Sequence, residues 1–450
     1  MTETRRELGF WTAVALVVGN MIGSGVFLLP ASLAPYGGLG LGGWGVSAAG
    51  SVMLALVFAR LARAHPAAGG PYAYTRRAFG DLFGFLVGWG YWISIWCANA
   101  ALAVAFVGYL DPFVPSIVRA RVPAALTAIA AVWLFAFVNA RGVRTAGRVQ
   151  VVTTVLKALP LAFVGLAGLV YFSPDVITTP ASAGRPAAGG DLMAVVTLTL
   201  WAFLGLESAT IPAGSVKDPD RVIPRATVVG TVAAAAIYVV STVGVMALVP
   251  AQALATTTAP FADAARAIAG TLGAGVIAIG AAVSCLGALN GWTLMVGQLP
   301  MAMAADRLFP AFFGRRSGRG TPVAAFVVGG VMSTLLILTD LVQTVGAGGG
   351  GEERGLVTLF TRMILLSTLS TLVPYFFCSL AALVGRDGAP ASPRGRGSSG
   401  ATAVALLALV YAVVAIIGAG REVLQWGAAL ILAGLPVYFW IVRRRRVPAP

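Results

Sequence analysis

Charged side chains are scarce in this sequence. Only 10% of its 450 residues are Asp, Glu, Lys or Arg, while 58% are hydrophobic, against roughly a quarter charged in a soluble domain. That composition argues against a water-soluble fold. Histidine is nearly absent: His65 stands alone, so no histidine cluster exists for metal or triad chemistry. A Gly-rich loop ending in Lys-Ser/Thr is also missing, which argues against ATP-driven transport. The three cysteines, Cys97, Cys285 and Cys378, sit inside apolar stretches, where they read as small buried hydrophobes rather than a disulfide framework. Polar stretches long enough for a separate soluble domain are lacking, and neither a cofactor nor a metal is expected.

What is present is a series of apolar stretches of about 20 residues, the length that crosses a ~30 Å hydrocarbon core. Apolar runs and Gly/Pro punctuation place twelve spans, at 10–33, 41–62, 82–110, 122–140, 149–172, 192–214, 226–249, 270–302, 322–342, 356–385, 401–418 and 422–442. The expected fold is an all-α polytopic membrane protein, one transmembrane domain over residues 1–450. The start, Met1 to Glu7, leads into the first span with no small-residue cleavage site, so that span reads as retained.

The net charge of +15 raises the question of nucleic acid. With the N-terminus inside, 23 of the 31 Lys and Arg fall in inner segments, from Arg5 and Arg6 to the run Arg443 to Arg446, by way of Arg386, Arg394 and Arg396. The outer segments hold six, Arg119, Arg121, Arg185, Arg266, Arg354 and Arg421, and Lys157 and Arg362 fall within spans. This bias is the positive-inside pattern. It places both termini in the cytoplasm and explains the basicity without nucleic acid, since the charges are spread over seven segments rather than gathered with stacking aromatics. The last four arginines are also suited to anionic lipid.

Two spans are poor material for continuous helix. The first carries Gly19-Asn20-Met21-Ile22-Gly23-Ser24-Gly25-Val26-Phe27-Leu28-Leu29-Pro30 and the sixth Trp201-Ala202-Phe203-Leu204-Gly205-Leu206-Glu207-Ser208-Ala209-Thr210-Ile211-Pro212. The segments Gly23 to Pro30 and Gly205 to Pro212 have equal length, and two halves of five helices, 10–172 and 192–385, put them in equivalent places, with 401–442 supplying two further helices. Gly/Pro-interrupted spans at corresponding positions point to a secondary transporter with inverted repeats and a midplane site. Unwound backbone is tolerated at that depth only where it is buried or lines a cavity. There a half-helix N-terminus offers donors to a carboxylate, and freed carbonyls accept from an ammonium. One Gly-Ser-Gly stretch alone is explained by close helix packing. A matched second break with an acid inside it points to a site.

Of the sixteen acids, only Glu207 sits deep in a span, and an intramembrane carboxylate is by default a functional hypothesis. It is read as a proton-sensitive gate or a cation-coordinating group, or else as an acid that holds the unwound backbone. Lys157, deep in the fifth span, either simply donates to carbonyls freed by the first break, or in addition stands where a sodium ion would otherwise bind or carries a coupling proton. Trp201 and Trp292 are placed to face a central cavity, where an indole face attracts guanidinium or ammonium groups, although tryptophans also form interfacial belts.

These residues resemble the amino acid-polyamine-organocation superfamily, and within it the bacterial basic amino acid/polyamine antiporters that exchange arginine for agmatine. The likeness covers nearly the whole chain, through Met21 to Ala31, Gly69-Gly70-Pro71-Tyr72-Ala73-Tyr74, Trp201 to Glu207, Gly291-Trp292-Thr293-Leu294 and Leu372-Val373-Pro374-Tyr375. The resemblance implies a LeuT-like five-plus-five repeat with broken helices 1 and 6, and amino-acid exchange by alternating access without covalent chemistry, in the bacterial cytoplasmic membrane. It also implies roles. Ser24 and Gly25 bind the substrate carboxylate, and the carbonyls of Met21, Trp201 and Leu204 hold its amino group. Ser94, Ile95, Asn99 and Ser367 surround the side chain. Trp292 stacks on the guanidinium, and Trp201 is a lid toward the outside. Tyr91, Glu207 and Tyr375 form an outer gate, and Tyr72 and Asn20 take part in gating or binding.

Three departures bear on the substrate. The lysine at Lys157 looks like that of heteromeric-type exchangers and of some proton-coupled amino-acid transporters. Ile95 and Leu102 make the side-chain end bulkier and more apolar than a dedicated arginine site. The connection from Gly346 to Gly355 is long, which blurs the match at Ser367. The alternative to arginine/agmatine exchange is therefore a proton-coupled or exchange transporter of neutral or other amino acids that uses Lys157. Expected partners are a small amino acid or amine and the lipid bilayer, with a homodimer among the possible states.

Overall fold

The computed structural model describes residues 6–172, 189–257, 259–346, 354–384 and 399–446. Arg5, Arg185, Arg386, Arg394, Arg396 and most of the connection 346–355 lie outside the described residues, as do the side chains of Arg354, Arg362, Arg445 and Arg446. The described chain is helical, and its one extended pairing is an isolated bridge between Leu8 and Val216.

The helices in order are α1 (Phe10–Met21), α2 (Leu29–Leu33), α3 (Gly38–Ala64), α4 (Pro71–Phe79), α5 (Asp81–Gly108), α6 (Pro115–Arg119), α7 (Arg121–Ala140), α8 (Val143–Val170), α9 (Gly189–Trp201), α10 (Pro219–Leu248), α11 (Ala251–Leu254), α12 (Pro260–Ala305), α13 (Val323–Gly346), α14 (Arg354–Leu383), α15 (Ser399–Gly418), α16 (Arg421–Leu432) and α17 (Gly434–Arg446). Among the described residues, eight helical stretches are long and apolar enough to cross a membrane: α3, α5, α7, α8, α10, α12, α15 and the stretch Arg421–Arg444. Shorter apolar helices cover Phe10–Met21, Leu192–Phe203, Val323–Thr339 and Leu369–Leu383.

Helix α8 explains why such helices suit a bilayer. Val152, Val155, Leu159, Phe163 and Leu166, spaced three or four residues apart, are exposed, whereas Gln150, Thr154, Lys157, Leu161 and Val164 on the opposite face are buried. Apolar residues outward and polar residues inward is the reverse of a soluble helix, and it fits a hydrocarbon solvent. Between α8 and α10 the approach is close enough that a Cβ on Gly168 would overlap the backbone of Gly244, the small-residue contact common in membrane interiors.

Several boundaries differ from the sequence reading for identifiable reasons. The span 10–33 is three pieces: α1, a 3₁₀ turn at Gly25–Phe27, and α2. The span 192–214 is helix only to Trp201; from there i→i+3 bonds run from Ala202 N to Thr199 O (3.2 Å), Phe203 N to Leu200 O (2.8 Å), Ser208 N to Gly205 O (3.0 Å) and Thr210 N to Glu207 O (2.8 Å). The long run α12 bends at Ala269–Gly270, where Gly270 takes φ 62°, so its main arm begins where the sequence placed it. Helix α10 starts earlier than 226 and carries Pro224 inside it. Helix α4 was not expected: Pro71 follows Gly69 and Gly70 and occupies the first turn, where a missing N–H costs nothing.

Candidate functional site

Helix α1 stops because Ile22 turns extended (φ −77°, ψ 90°). The chain then re-enters a short turn in which Phe27 N donates to Ser24 O (3.3 Å) and Leu28 N to Gly25 O (3.1 Å). The amides of Gly25 and Val26 precede the first bonded N–H and have no partner inside the turn. Ser24 is buried, and its hydroxyl has no hydrogen-bond partner among the described residues. The break thus leaves donors unfilled where its residues line the interior.

The second break meets the first there. Gly205 takes φ +103°, and a Cβ on it would press against Asn20 and Trp292, so only glycine suits both the backbone and the gap. Between the breaks lies a cavity of about 60 Å³ lined by Asn20, Met21, Ser24, Gly25, Trp201, Leu204, Trp292 and Ser367, with Ala98, Ala101, Leu102 and Thr371. That is room for about two waters and far below the ~300 Å³ at which ligand pockets begin. Trp201 is the reason: its indole rests so close to Gly25 that a Cβ there would overlap the ring.

Eight of the substrate-site residues named from the sequence, Asn20, Met21, Ser24, Gly25, Trp201, Leu204, Trp292 and Ser367, therefore converge on one cavity. Ser94, Ile95 and Asn99 do not line it. Ser94 donates to Tyr91 O (2.7 Å) and its carbonyl accepts from Ser367 (3.2 Å), Ile95 is fully buried, and α5 presents Ala98, Ala101 and Leu102 instead. The backbone carbonyls of Met21 and Trp201 already accept from Gly23 N (3.0 Å) and Leu204 N (3.3 Å). Each keeps a second lone pair for an ammonium.

Lys157 closes the back of the first break. Fully buried on α8, its ammonium donates to Gly19 O at 2.5 Å and Ile22 O at 2.7 Å, with Ser284 O at 3.4 Å. Ser284 adds its hydroxyl to Ile22 O (3.2 Å) and Gly23 O (3.0 Å). The carbonyls released by the break are thus met by a cation and a hydroxyl.

Glu207 accepts from the hydroxyls of both Tyr91 and Tyr375, and Tyr375 in turn accepts from Gly205 N (3.1 Å). Tyr91 stands edge-on to Trp292 with ring centroids 6.5 Å apart. From Trp201 the unwound chain continues through Glu207 to Ile211, whose carbonyl takes the Gly69 amide (3.0 Å), and to Val216 beside Leu8, where Lys217 N donates to Leu8 O (2.9 Å). The Tyr91–Glu207–Tyr375 cluster therefore lies between Trp201 and the N-terminal face. The trio and Trp201 therefore flank the site on opposite sides.

Tyr72 lies outside the cavity, on the same N-terminal face. It donates to Asp306 (2.9 Å), which also pairs with Arg76 (2.7 Å), and Arg76 pairs with Asp81 (2.7 Å). Burial, followed by the Asp306 charge, raises the Tyr72 phenol above its ordinary value, so it stays an O–H donor at physiological pH. This chain of contacts ties α4 to the start of α5 and the end of α12.

Sequence reasoning missed a set of amides. Asn290 donates to Gln150 (2.8 Å) and to Ala146 O (3.0 Å), Asn139 donates to Asn290 (3.2 Å), and Gln150 reaches Ala15 O (3.3 Å) on α1. Asn20 donates to Ser208 (2.9 Å) across the two breaks, and Trp292 Nε1 to Asn20 O (3.4 Å). A signal existed, since a neutral amide inside a span is itself expensive. Attention to charges alone passed it over.

Two broken helices around a small cavity between them define a transporter-type site. The chain matches the amino acid permease family over residues 8–442. It is 34% identical over 376 residues to the cadaverine/lysine antiporter of Escherichia coli (strain K12), covering 83% of each chain. It is 31% identical to the arginine/ornithine antiporter of Pseudomonas aeruginosa, over 96% of this chain and 90% of that protein. Against the putrescine transporter PotE of Haemophilus influenzae the identity is 28% over 98% of each chain. The chain belongs to the amino acid permease family. Its apolar helices and bacterial permease relatives make it a multi-pass transporter of the inner membrane, not an enzyme.

Proposed function

We propose that the protein is an antiporter that exchanges a cationic amino acid for the amine left by its decarboxylation, with arginine and agmatine as the pair. The observation that carries this reading is the Ser24–Gly25 turn, which lines the cavity with an unpartnered buried Ser24 hydroxyl and packs against Trp201. A substrate carboxylate takes those donors, its ammonium takes the carbonyls of Met21, Trp201 and Leu204, and its side-chain cation lies against Trp292. An amine without the carboxylate still fits the cation-binding end, which is what an exchange pair of acid and decarboxylated product requires.

Binding starts when Trp201 swings off Gly25, and the site opens to the other face when the Tyr91–Glu207–Tyr375 cluster parts. Trp201 is then the outer lid and the cluster the inner gate, in an arrangement of twelve spans, a five-plus-five inverted repeat with two additional helices, and cytoplasmic termini as the arginine bias implies. Tyr72 contributes to inner closure through Asp306. The full engagement of Lys157 by carbonyls favours a fixed cation over a proton carrier. Ser94, Ile95 and Asn99 act behind the cavity wall.

Lysine with cadaverine is a second pair, favoured by the name of the Escherichia coli relative. A competition panel on the purified protein separates the readings, using arginine, agmatine, lysine, cadaverine, ornithine, putrescine and neutral amino acids. Arginine and agmatine competing best supports the first pair, lysine and cadaverine the second. Competition by neutral amino acids alone refutes both and returns the proton-coupled alternative.

A further inference from the structure

A second cavity, of about 570 Å³, lies at the N-terminal-face ends of α3 and α10 and shares no lining residue with the substrate site. Its size falls within the ~300–1,000 Å³ of ligand sites. Arg60 and Arg63 reach it from the end of α3 and Arg225 from the start of α10, while Leu56, Pro224 and Val229 provide apolar walls. Among the described residues that line it there is no acid.

The order of these residues along their helices gives the groove a direction. Leu56 stands one turn deeper on α3 than Arg60, and Val229 one turn deeper on α10 than Arg225. Leu56 and Val229 are 37% and 44% exposed, so the apolar end is continuous with the surface that faces lipid. Guanidinium groups gathered at the membrane boundary above an apolar slot match a phosphate with acyl chains attached, because the planar fork of arginine suits phosphate oxygens. A general inward bias of arginines accounts for their face but not for three of them around one cavity.

We propose that this groove binds an anionic phospholipid of the leaflet at the N-terminal face, its phosphate between Arg60, Arg63 and Arg225 and an acyl chain along Leu56 and Val229. The site sits beside the moving machinery. The segment after α3 carries Gly69, whose amide bonds to Ile211 O at 3.0 Å, so a lipid that holds the ends of α3 and α10 together steadies the inner end of the unwound segment.

Native mass spectrometry of the full-length protein with phosphatidylglycerol and with phosphatidylcholine tests this. Wild type should retain phosphatidylglycerol in preference. Arg60→Gln, Arg63→Gln and Arg225→Gln should each weaken retention about fivefold, and the triple variant about a hundredfold, from the share each basic residue contributes at an anionic surface. Replacing Arg141, Arg144 and Arg148, three exposed arginines of another segment, with Gln should leave retention unchanged. Should the triple variant not fold, the single variants at the exposed Arg63 and Arg225 carry the test. Undiminished retention in these variants, equal retention of phosphatidylcholine, or displacement by millimolar inorganic phosphate overturns the proposal.

Discussion

Replacing Lys157 with Met removes the ammonium that holds the first break while keeping a side chain of similar length. Two short hydrogen bonds disappear, to Gly19 O and Ile22 O, along with the longer one to Ser284 O. Each buried carbonyl left without a donor costs about 1–3 kcal/mol. Ser284 still serves Ile22 O, so the loss falls mainly on Gly19 O. Loss of the buried cation itself recovers part of the cost of burying it. The net expectation is a destabilisation of about 1–3 kcal/mol, a substantial share of the ~5–15 kcal/mol that typically separates folded from unfolded chains. Thermal denaturation of the purified protein should therefore shift down by several degrees, and exchange in proteoliposomes should fall with it, because the break that positions Ser24 and Gly25 is no longer held. Arg at position 157, which keeps a cation but is longer, should restore part of the stability. A Lys157→Met protein with unaltered denaturation temperature and unaltered exchange would refute the reasoning.

Gly25→Ala places a methyl where the Trp201 indole lies, so exchange should fall by more than tenfold, and overpacking should cost stability about 1–3 kcal/mol; unaltered exchange would contradict a lid role. Trp292→Leu should weaken arginine binding about 2- to 30-fold, the range of a cation–π contact worth ~0.5–2 kcal/mol, and calorimetry showing unchanged affinity would remove its stacking role. Tyr91→Phe with Tyr375→Phe strips Glu207 of both side-chain donors. At ~1–3 kcal/mol per bond the closed gate should loosen, seen as faster leak of preloaded substrate from liposomes, and wild-type retention would count against the gate.

The parts of this protein legible in its sequence are those set by backbone chemistry. Glycines and prolines in the first and sixth spans marked the breaks, because no other residue type explains such interruptions at membrane depth, and Gly25 and Gly205 stand where the structure needs them. Long apolar stretches gave the helices, since length and hydropathy alone decide what crosses a bilayer. Ser94, Ile95 and Asn99, placed by resemblance, do not line the cavity; which face of α5 turns inward depends on its packing against α12 and α14, and apolar residues all around that helix hide it from the sequence. The direction of the Glu207 cluster became clear only when the bridge from Val216 to Leu8 fixed which way the unwound chain runs.

The central claim is exchange through the site between the two breaks, and counterflow tests it most directly. Proteoliposomes preloaded with agmatine should take up labelled arginine many times faster than empty ones, and an imposed pH gradient across empty vesicles should drive little uptake. Equal uptake with and without internal agmatine, together with strong uptake driven by the pH gradient alone, would contradict the account.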